Sequence, residues 1–264
     1  MLTAVEYLGN VGIGVTAPHF FRANDEKIYV VKLQNNKLGP KVLVNELIAA
    51  KIGHCIGLCF PTSDIIMVNE QSLENSRCPT VPHIILGHQF ASQYLEHTEY
   101  IEKHNVANVI NITDMAGVIL FDHMFHNADR ANNKKNIFIR QEDNGCRIYA
   151  IDHSHLFRSG RWTIDSLTNL MPQIKSYCYY SFGLLLRDYL SPEDFFPYLE
   201  KLAECSNENM EQIVTDIPSE WLPDDSERQA LLTYIKMRFA MAENIWNFLC
   251  NYIPKSRGGY RYLY

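Results

Sequence analysis

Aromatic and β-branched residues crowd the stretch EKIYVVKLQ, Glu26 to Gln34, and the turn pair Asn24-Asp25 precedes it, so the pattern predicts a strand. Upstream, Glu6 to Arg22 breaks short apolar pieces with Gly9, Gly12 and Gly14, which predicts a hairpin turned on glycine. From Pro40 to Cys55 the apolar positions Val42, Leu43, Leu47, Ile48, Ala50 and Ile52 recur near the helical period, with Gly53 and Gly57 as stops. Pro61 then introduces SDIIMV, another predicted strand, and PHIIL from Pro82 to Leu86 is a further apolar run.

Beyond Leu86 the period becomes helical. The segments FASQYLEHTEYIEKH and ITDMAGVILFDHMFH predict helices, the second capped by Thr113. Two short strands follow, NIFIR at Asn136 to Arg140 and CRIYAID at Cys146 to Asp152, joined by the turn Glu142-Asp143-Asn144-Gly145. The remainder reads as helix, with Ser191-Pro192-Glu193 as a capped start and DDSERQALLTYIKMRFAMAENIWNFLC as one long amphipathic helix. The closing SRGGYRYLY reads as a frayed or docked tail. The order predicts an α+β layout: a small sheet with one helix over residues 1–86, then a mostly helical body over 87–264 that holds one hairpin. A cleft is expected between the halves.

With 264 residues, 47% of them hydrophobic and 20% charged, the chain can bury a sizeable core. The net charge of -6 offers no electrostatic reason to bind nucleic acid or an anionic membrane. Residues 1–86 carry 7 basic and 7 acidic side chains and the rest 17 and 23, so the acidity is C-terminal. The start lacks a basic, apolar leader, and no apolar run reaches the ~18 residues of a membrane span. The expectation is a cytoplasmic protein whose seven cysteines stay reduced, with Cys55 and Cys59 as buried thiols. The oligomeric state is left open.

Candidate chemistry gathers at two places. In FHNADRANNKKNIFI, Asp129 sits in a polar loop and Asn136 directly precedes a strand, while YAIDHS ends the next strand at Asp152. A hairpin brings the residue before its first strand near the residue after its second, so Asn136 and Asp152 can converge on one divalent cation, with Asp129 on the approach. Oxygen donors of this kind suit Mg²⁺, whose shell is completed by phosphate and water. In the N-terminal half Lys32 lies inside an apolar strand, where an ammonium is costly unless paired, and Glu46 in the following helix offers the partner. Such a pair can hold nucleotide phosphates. The glycines of GNVGIGVT, Gly9, Gly12 and Gly14, can let backbone amides close over phosphates, with Thr16 as a further contact.

The runs KIYVVKLQNN, KVLVNELIAAKIG, FDHMFHNADRANNKKNIFI and YAIDHSHLF, together with IPSEWL at Ile217 to Leu222, resemble the HipA-like kinases, bacterial relatives of the protein kinase and phosphatidylinositol kinase superfamily. The resemblance implies a bilobal protein-kinase-like fold, with a small antiparallel sheet plus one helix in the N-lobe and a mostly helical C-lobe with a catalytic hairpin. It also implies ATP and Mg²⁺, with Lys32 on the phosphates, Glu46 as its ion-pair partner, Asp129 as catalytic base, and Asn136 and Asp152 on the metal. A protein substrate is the expected acceptor, and a serine or threonine its expected residue. The asparagine lies five residues after the base in most relatives; that position here is Lys134, and Asn136 or Asn133 takes its place.

Two other readings remain. His123 and His126 in DHMFH, with Asp152, His153 and His155 in IDHSH, fit a metal-dependent hydrolase. A nucleotide-binding pseudokinase or interaction module would use the same cleft without chemistry.

Overall fold

The computed structural model describes residues 1–254, so the tail SRGGYRYLY lies outside the described residues. Five strands close into a barrel in the order β1 (Leu2–Asn10), β2 (His19–Ala23), β3 (Ile28–Lys32), β5 (Gly87–Gln93) and β4 (Ser63–Val68). All neighbours are antiparallel except β1 and β4, which pair in parallel through Leu2↔Ile66 and Thr3↔Met67. The expected small antiparallel sheet is therefore a barrel with one parallel seam. Closure leaves no strand edge exposed and encloses a core of its own, including Tyr7, Phe21, Tyr29, Val31, Ile66 and Ala91.

Strand β5 corrects the sequence reading. Gly87–Gln93 lies past Leu86, in the segment expected to open the helical half, yet it pairs with both β3 and β4. Its sequence GHQFASQ has no clean alternation; barrel closure supplies the register that local pattern does not. The next segment is again a strand, β6 (Thr98–Tyr100), which joins β7 (Ile137–Glu142) and β8 (Gly145–Ala150) in a second sheet.

Helix α1 (Lys41–Ile56) buries 11 of its 16 residues because it is apolar nearly all round, as a helix covered on every side must be. It ends at Gly57, whose φ of 73° is a left-handed cap that a side chain would disfavour. Although α1 follows the barrel in sequence, it shares a core with the helical body. After short helices α2 (Glu70–Glu74) and α3 (Lys103–Val106), that body begins at α4 (Met115–Met124), all ten of whose residues are buried, Asp122 and His123 included. Thr113 does not cap α4. It lies in a 3-10 turn at Ile112–Asp114 that leads into the helix, which has no side-chain cap.

The body continues through α5 (Ala128–Asn132), the β7–β8 hairpin, α6 (Ile164–Leu170), α7 (Tyr180–Asp188), α8 (Phe196–Glu204) and α9 (Asn207–Thr215). Ser191 and Asp194 form the expected capping box before α8. The single last helix expected from the sequence is two, α10 (Asp225–Ala240) and α11 (Ala242–Cys250), broken at Met241 with no glycine or proline to announce it. Beside the break, the fully buried Arg238 donates to the carbonyls of His123, Met124, Met171 and Gln173, a set of partners only the tertiary structure assembles. Cys59 is buried as expected, but Cys55 is exposed on the last turn of α1. No helix of the described residues is long and apolar enough to cross a membrane.

Candidate active site

Three charged side chains from three elements meet at one end of the barrel. Lys32 is the last residue of β3 and the ammonium points inward, only 11% exposed, onto Glu46 of α1 and Asp152 just past β8. The Lys32–Glu46 contact is a direct hydrogen bond, and Lys32 Nζ donates to Asp152 Oδ1 at 2.8 Å. Burial alone would lower the lysine's pKa, but the charges of Asp152 and Glu46 outweigh it and hold the ammonium protonated. Burial likewise pushes both carboxyls up, and Lys32 more than reverses this, leaving both below the usual carboxylate range.

Glu46 is held from a second side. It accepts the backbone N–H of His153 at 3.0 Å, and His153 Nδ1 lies 3.1 Å from its other oxygen. His153 Nε2 is buried without a partner, and the ring centroid lies 4.2 Å from that of Phe60. Burial and the nearby Arg130 lower its pKa against the pull of Glu46, so the ring is neutral and Nδ1–H donates. Asp152 adopts φ 61°, a left-handed conformation uncommon outside glycine. Its Oδ1 also accepts from the Ser154 hydroxyl at 2.6 Å, while its side chain stays 36% exposed.

The hairpin places Asn136 as its registry predicts. Ile137 pairs with Ala150, and the Asn136 carbonyl accepts the Ile151 N–H at 2.9 Å, one residue short of Asp152. The Asn136 amide donates to Asp129 Oδ2 at 2.6 Å. Asn133 stands one step behind: it donates to Asn136 Oδ1 at 3.2 Å, and its own oxygen caps the turn Lys134–Asn136. Asp129 is 30% exposed, on the one-turn helix α5, with His155 Nδ1 3.9 Å from its carboxylate.

The glycine turn joins β1 to β2 at the same barrel end, since Asn10 pairs with His19 and His19 with Val31, the neighbour of Lys32. Gly12 and Gly14 have φ of 82° and 98°, which a Cβ would strain, and Ile13 and Val15 between and after them are exposed. Gly9 lies within β1 and Thr16 is buried. Neither touches the Lys32 cluster through a hydrogen bond.

Several buried side chains support the site from beneath. Arg130 is fully buried; its guanidinium meets both Asp122 oxygens at 2.5 Å and donates to the carbonyls of Ile151 and Asp152 at 3.2 and 3.3 Å. It thus ties the loop of Asp129 to the strand end of Asp152. Burial pushes Asp122 up to about 6, against the opposing charge of Arg130. Asn45, one residue before Glu46 and wholly buried, donates to the carbonyls of Ser154 and Leu156 at 2.9 and 3.2 Å and accepts from Trp162 Nε1 at 2.9 Å. A lone amide in VLVNELIAA was the signal for it. Lys41–Glu227 and Lys51–Asp216 at 2.5 and 3.0 Å complete the attachment of α1 to the helical body.

His123 and His126, the residues that suggested a hydrolase, face the core instead. His123 bonds the Ile119 carbonyl and the Tyr177 N–H, and His126 bonds the Tyr177 hydroxyl and the Leu170 carbonyl. Burial pushes them down to about 4 and about 3. Among the described residues no three His, Cys, Asp or Glu side chains gather to hold a metal. Asp152 offers a partly exposed carboxylate, and Asn136, whose backbone bonds Ile151, carries an amide oxygen that accepts from Asn133; both are hard oxygens of the kind that suits Mg²⁺ with phosphate completing the shell.

The family of HipA-like kinases matches residues 4–247. Among solved structures, a Helicobacter pylori proinflammatory kinase, CtkA, aligns with a TM-score of 0.59 at 11% identity, covering 96% of this chain and 98% of its own. The hydra Fam20 structure with sugar aligns with a TM-score of 0.57 at 12% identity, covering 95% and 86%. The Golgi casein kinase with Mn and ADP bound aligns at 0.56 and 12% identity, covering 98% and 75%. No curated protein matches the chain. At such identities the likeness is one of fold, and the fold is a kinase-like α+β fold.

Proposed function

This chain belongs to the HipA-like kinase family, and from that premise we propose that it transfers the γ-phosphoryl group of ATP to a serine or threonine hydroxyl of another protein. The observation that carries the reading is the meeting of Lys32 with Glu46 and with Asp152, which lies 120 residues away in sequence. A strand ammonium paired with a helix carboxylate, with a strand-end carboxylate in reach and a glycine turn at the same barrel end, supports phosphoryl transfer, in which the lysine holds phosphate and the aspartate a divalent cation.

In this reading Lys32 neutralises phosphate charge on the nucleotide, and Glu46, fixed by His153, keeps the ammonium aimed. Asp129 orients the acceptor hydroxyl and takes its proton; the Asn136 amide holds the carboxylate while part of it remains open to an incoming group. Asn136 and Asp152 would hold Mg²⁺, which when bound offsets charge on the phosphate oxygens. Arg130 keeps Asp129 and Asp152 in fixed relation through Asp122 and the two carbonyls.

The test is incubation of purified protein with γ-labelled ATP and Mg²⁺, alone and with a cell lysate, followed by phosphoamino-acid analysis. The expected result is label on serine or threonine for the wild type. Asp129→Ala is expected to abolish it while leaving nucleotide affinity nearly intact. Label transfer at an unchanged rate in that variant would sink the role given to Asp129, and no transfer by the wild type to any protein would sink the reading.

A further inference from the structure

Past Asp152 the backbone turns through two consecutive left-handed residues, Phe157 at φ 56° and Arg158 at φ 69°. Neither is glycine, so the conformation is strained and must be held by its surroundings. Phe157 is what holds it: the ring is buried edge-on against Trp162, Tyr234 and Phe125, and its N–H donates to the Phe125 carbonyl at 2.8 Å. The consequence is that Arg158 is thrown outward, exposed, at the rim of a depression of about 410 Å³.

That depression is charged in one sign. Arg158, Arg161 and Lys175 line it with Ser166, Asn169 and Gln173, and no carboxylate does. The chain as a whole carries 30 acidic against 24 basic residues, so three unneutralised cations in one hollow run against its composition. Several surface cations elsewhere pair, as with Lys51–Asp216, Arg187–Asp188 and Lys236–Glu211, whereas Lys37, Lys103 and Lys135, unpaired among the described residues, do not line this hollow. Among the described residues Arg158, Arg161 and Lys175 make no such pair, and the only bond of the Arg161 guanidinium is to the Lys37 carbonyl at 3.3 Å.

We propose that this hollow is a docking site for a phosphoryl group carried on another polypeptide. Two guanidinium forks and an ammonium offer several donors to a dianion, and the amides of Asn169 and Gln173 can extend the set. The phosphate comes from another chain because the serines within the hollow are engaged in their own turns. Ser166 closes a capping box with Thr163, and the Ser159 hydroxyl accepts the Arg161 N–H at 3.1 Å. The hollow begins at Phe157, five residues past Asp152, so a protein held there by a phosphorylated residue would be tethered to the segment that follows the proposed metal-binding aspartate. The inference goes beyond the kinase reading and does not need it, since binding alone is at issue.

The experiment measures fluorescence anisotropy of labelled peptide pools with degenerate flanks around a fixed central phosphoserine, or the same pools with serine, on the full chain without nucleotide. The phosphoserine pool is expected to bind at least about tenfold more tightly, the worth of one or two charge-assisted hydrogen bonds. Arg158→Ala with Lys175→Ala should erase that ratio, and Arg158→Lys with Lys175→Arg should retain most of it. Equal affinity for the two pools, or a ratio that survives the double alanine change, overturns the proposal. So does displacement of the phosphopeptide by an equally tight single-stranded RNA, which would make the hollow a general polyanion surface. An unchanged thermal melt for the charge-retaining pair shows that its fold is intact, and loss of phosphopeptide preference in that pair also counts against the proposal. Absence of any kinase activity would leave these outcomes untouched.

Discussion

Replacing Lys32 by Met removes the one cation that two carboxylates share. Glu46 is 3% exposed, so its charge would be left in a low-dielectric interior with Asp152 as its nearest charged neighbour. Breaking a buried pair by deleting one partner costs about 3–5 kcal/mol. Asp152, at 36% exposure, is screened by solvent and adds little to that figure. Glu46→Gln is milder, about 1–3 kcal/mol, because Lys32 keeps Asp152 and the glutamine can still accept from His153. In Lys32→Met/Glu46→Gln no unpaired buried charge remains at position 46, so the combined loss should fall short of the sum by about 2 kcal/mol. Urea denaturation of the four proteins at neutral pH measures the cycle. The same series carries a pH signature. Lys32 holds Glu46 below its ordinary value of 4.5, so the unfolded chain binds more protons than the folded one as acid is added. The stability this pair contributes is thus present above that ordinary value and is lost as pH falls below it, and Lys32→Met should flatten the acid limb of the wild-type curve. Additive single-site losses together with parallel acid limbs would refute the claim that Lys32 is paired inside the fold.

Asn45→Ala should cost about 2–4 kcal/mol, since Trp162 Nε1 and the carbonyls of Ser154 and Leu156 lose buried partners; a thermal melt with a parallel transfer assay checks whether rate falls with stability. His123 is held neutral, down to about 4 against 6.5 in the free side chain, so its contribution to stability is complete above about pH 6.5 and is lost as pH falls toward 4. Denaturation midpoints of wild type and His123→Gln between pH 7 and 4.5 should converge on acidification, and an imidazole NMR shift that titrates near 6.5 would refute the assignment. Gly57→Ala should cost about 1 kcal/mol or more, because φ 73° disfavours a side chain and the new Cβ would meet Lys201 Nζ at 2.7 Å; circular-dichroism melts read it directly.

The sequence carried a good deal of the site, and particular residues show why. Lys32 and Glu46 are charged residues inside apolar periods, and a buried charge demands a partner, so the pairing could be anticipated before any coordinates. Asn136 and Asp152 flank a hairpin whose strands and turn were local signals, and hairpin geometry then brings their backbones together. The order of motifs supplied the family. Strand β5, the Met241 break and the tie of Asn45 to the loop past Asp152 left much weaker traces. The strand and the Asn45 tie depend on partners far away in the chain, β3 and β4 for the one and Trp162 for the other, and the Met241 break lies beside Arg238, whose partners are the carbonyls of the α4 end and of residues 171 and 173.

Local pattern by itself therefore marked α1, α4 and the two hairpins and showed which buried charges must find counterions, because propensity, turn chemistry and desolvation act on neighbours in sequence. Only the folded chain decided that the small sheet closes into a barrel, that α1 is bolted to the helical body, and that three cations past Asp152 face one hollow without a carboxylate. The first two outcomes turn on which distant surfaces come to share a core, and no window of sequence contains both of the surfaces involved; the third turns on backbone conformation, since residues 157–175 hold all three cations but the left-handed turn at Phe157 and Arg158 decides where they face.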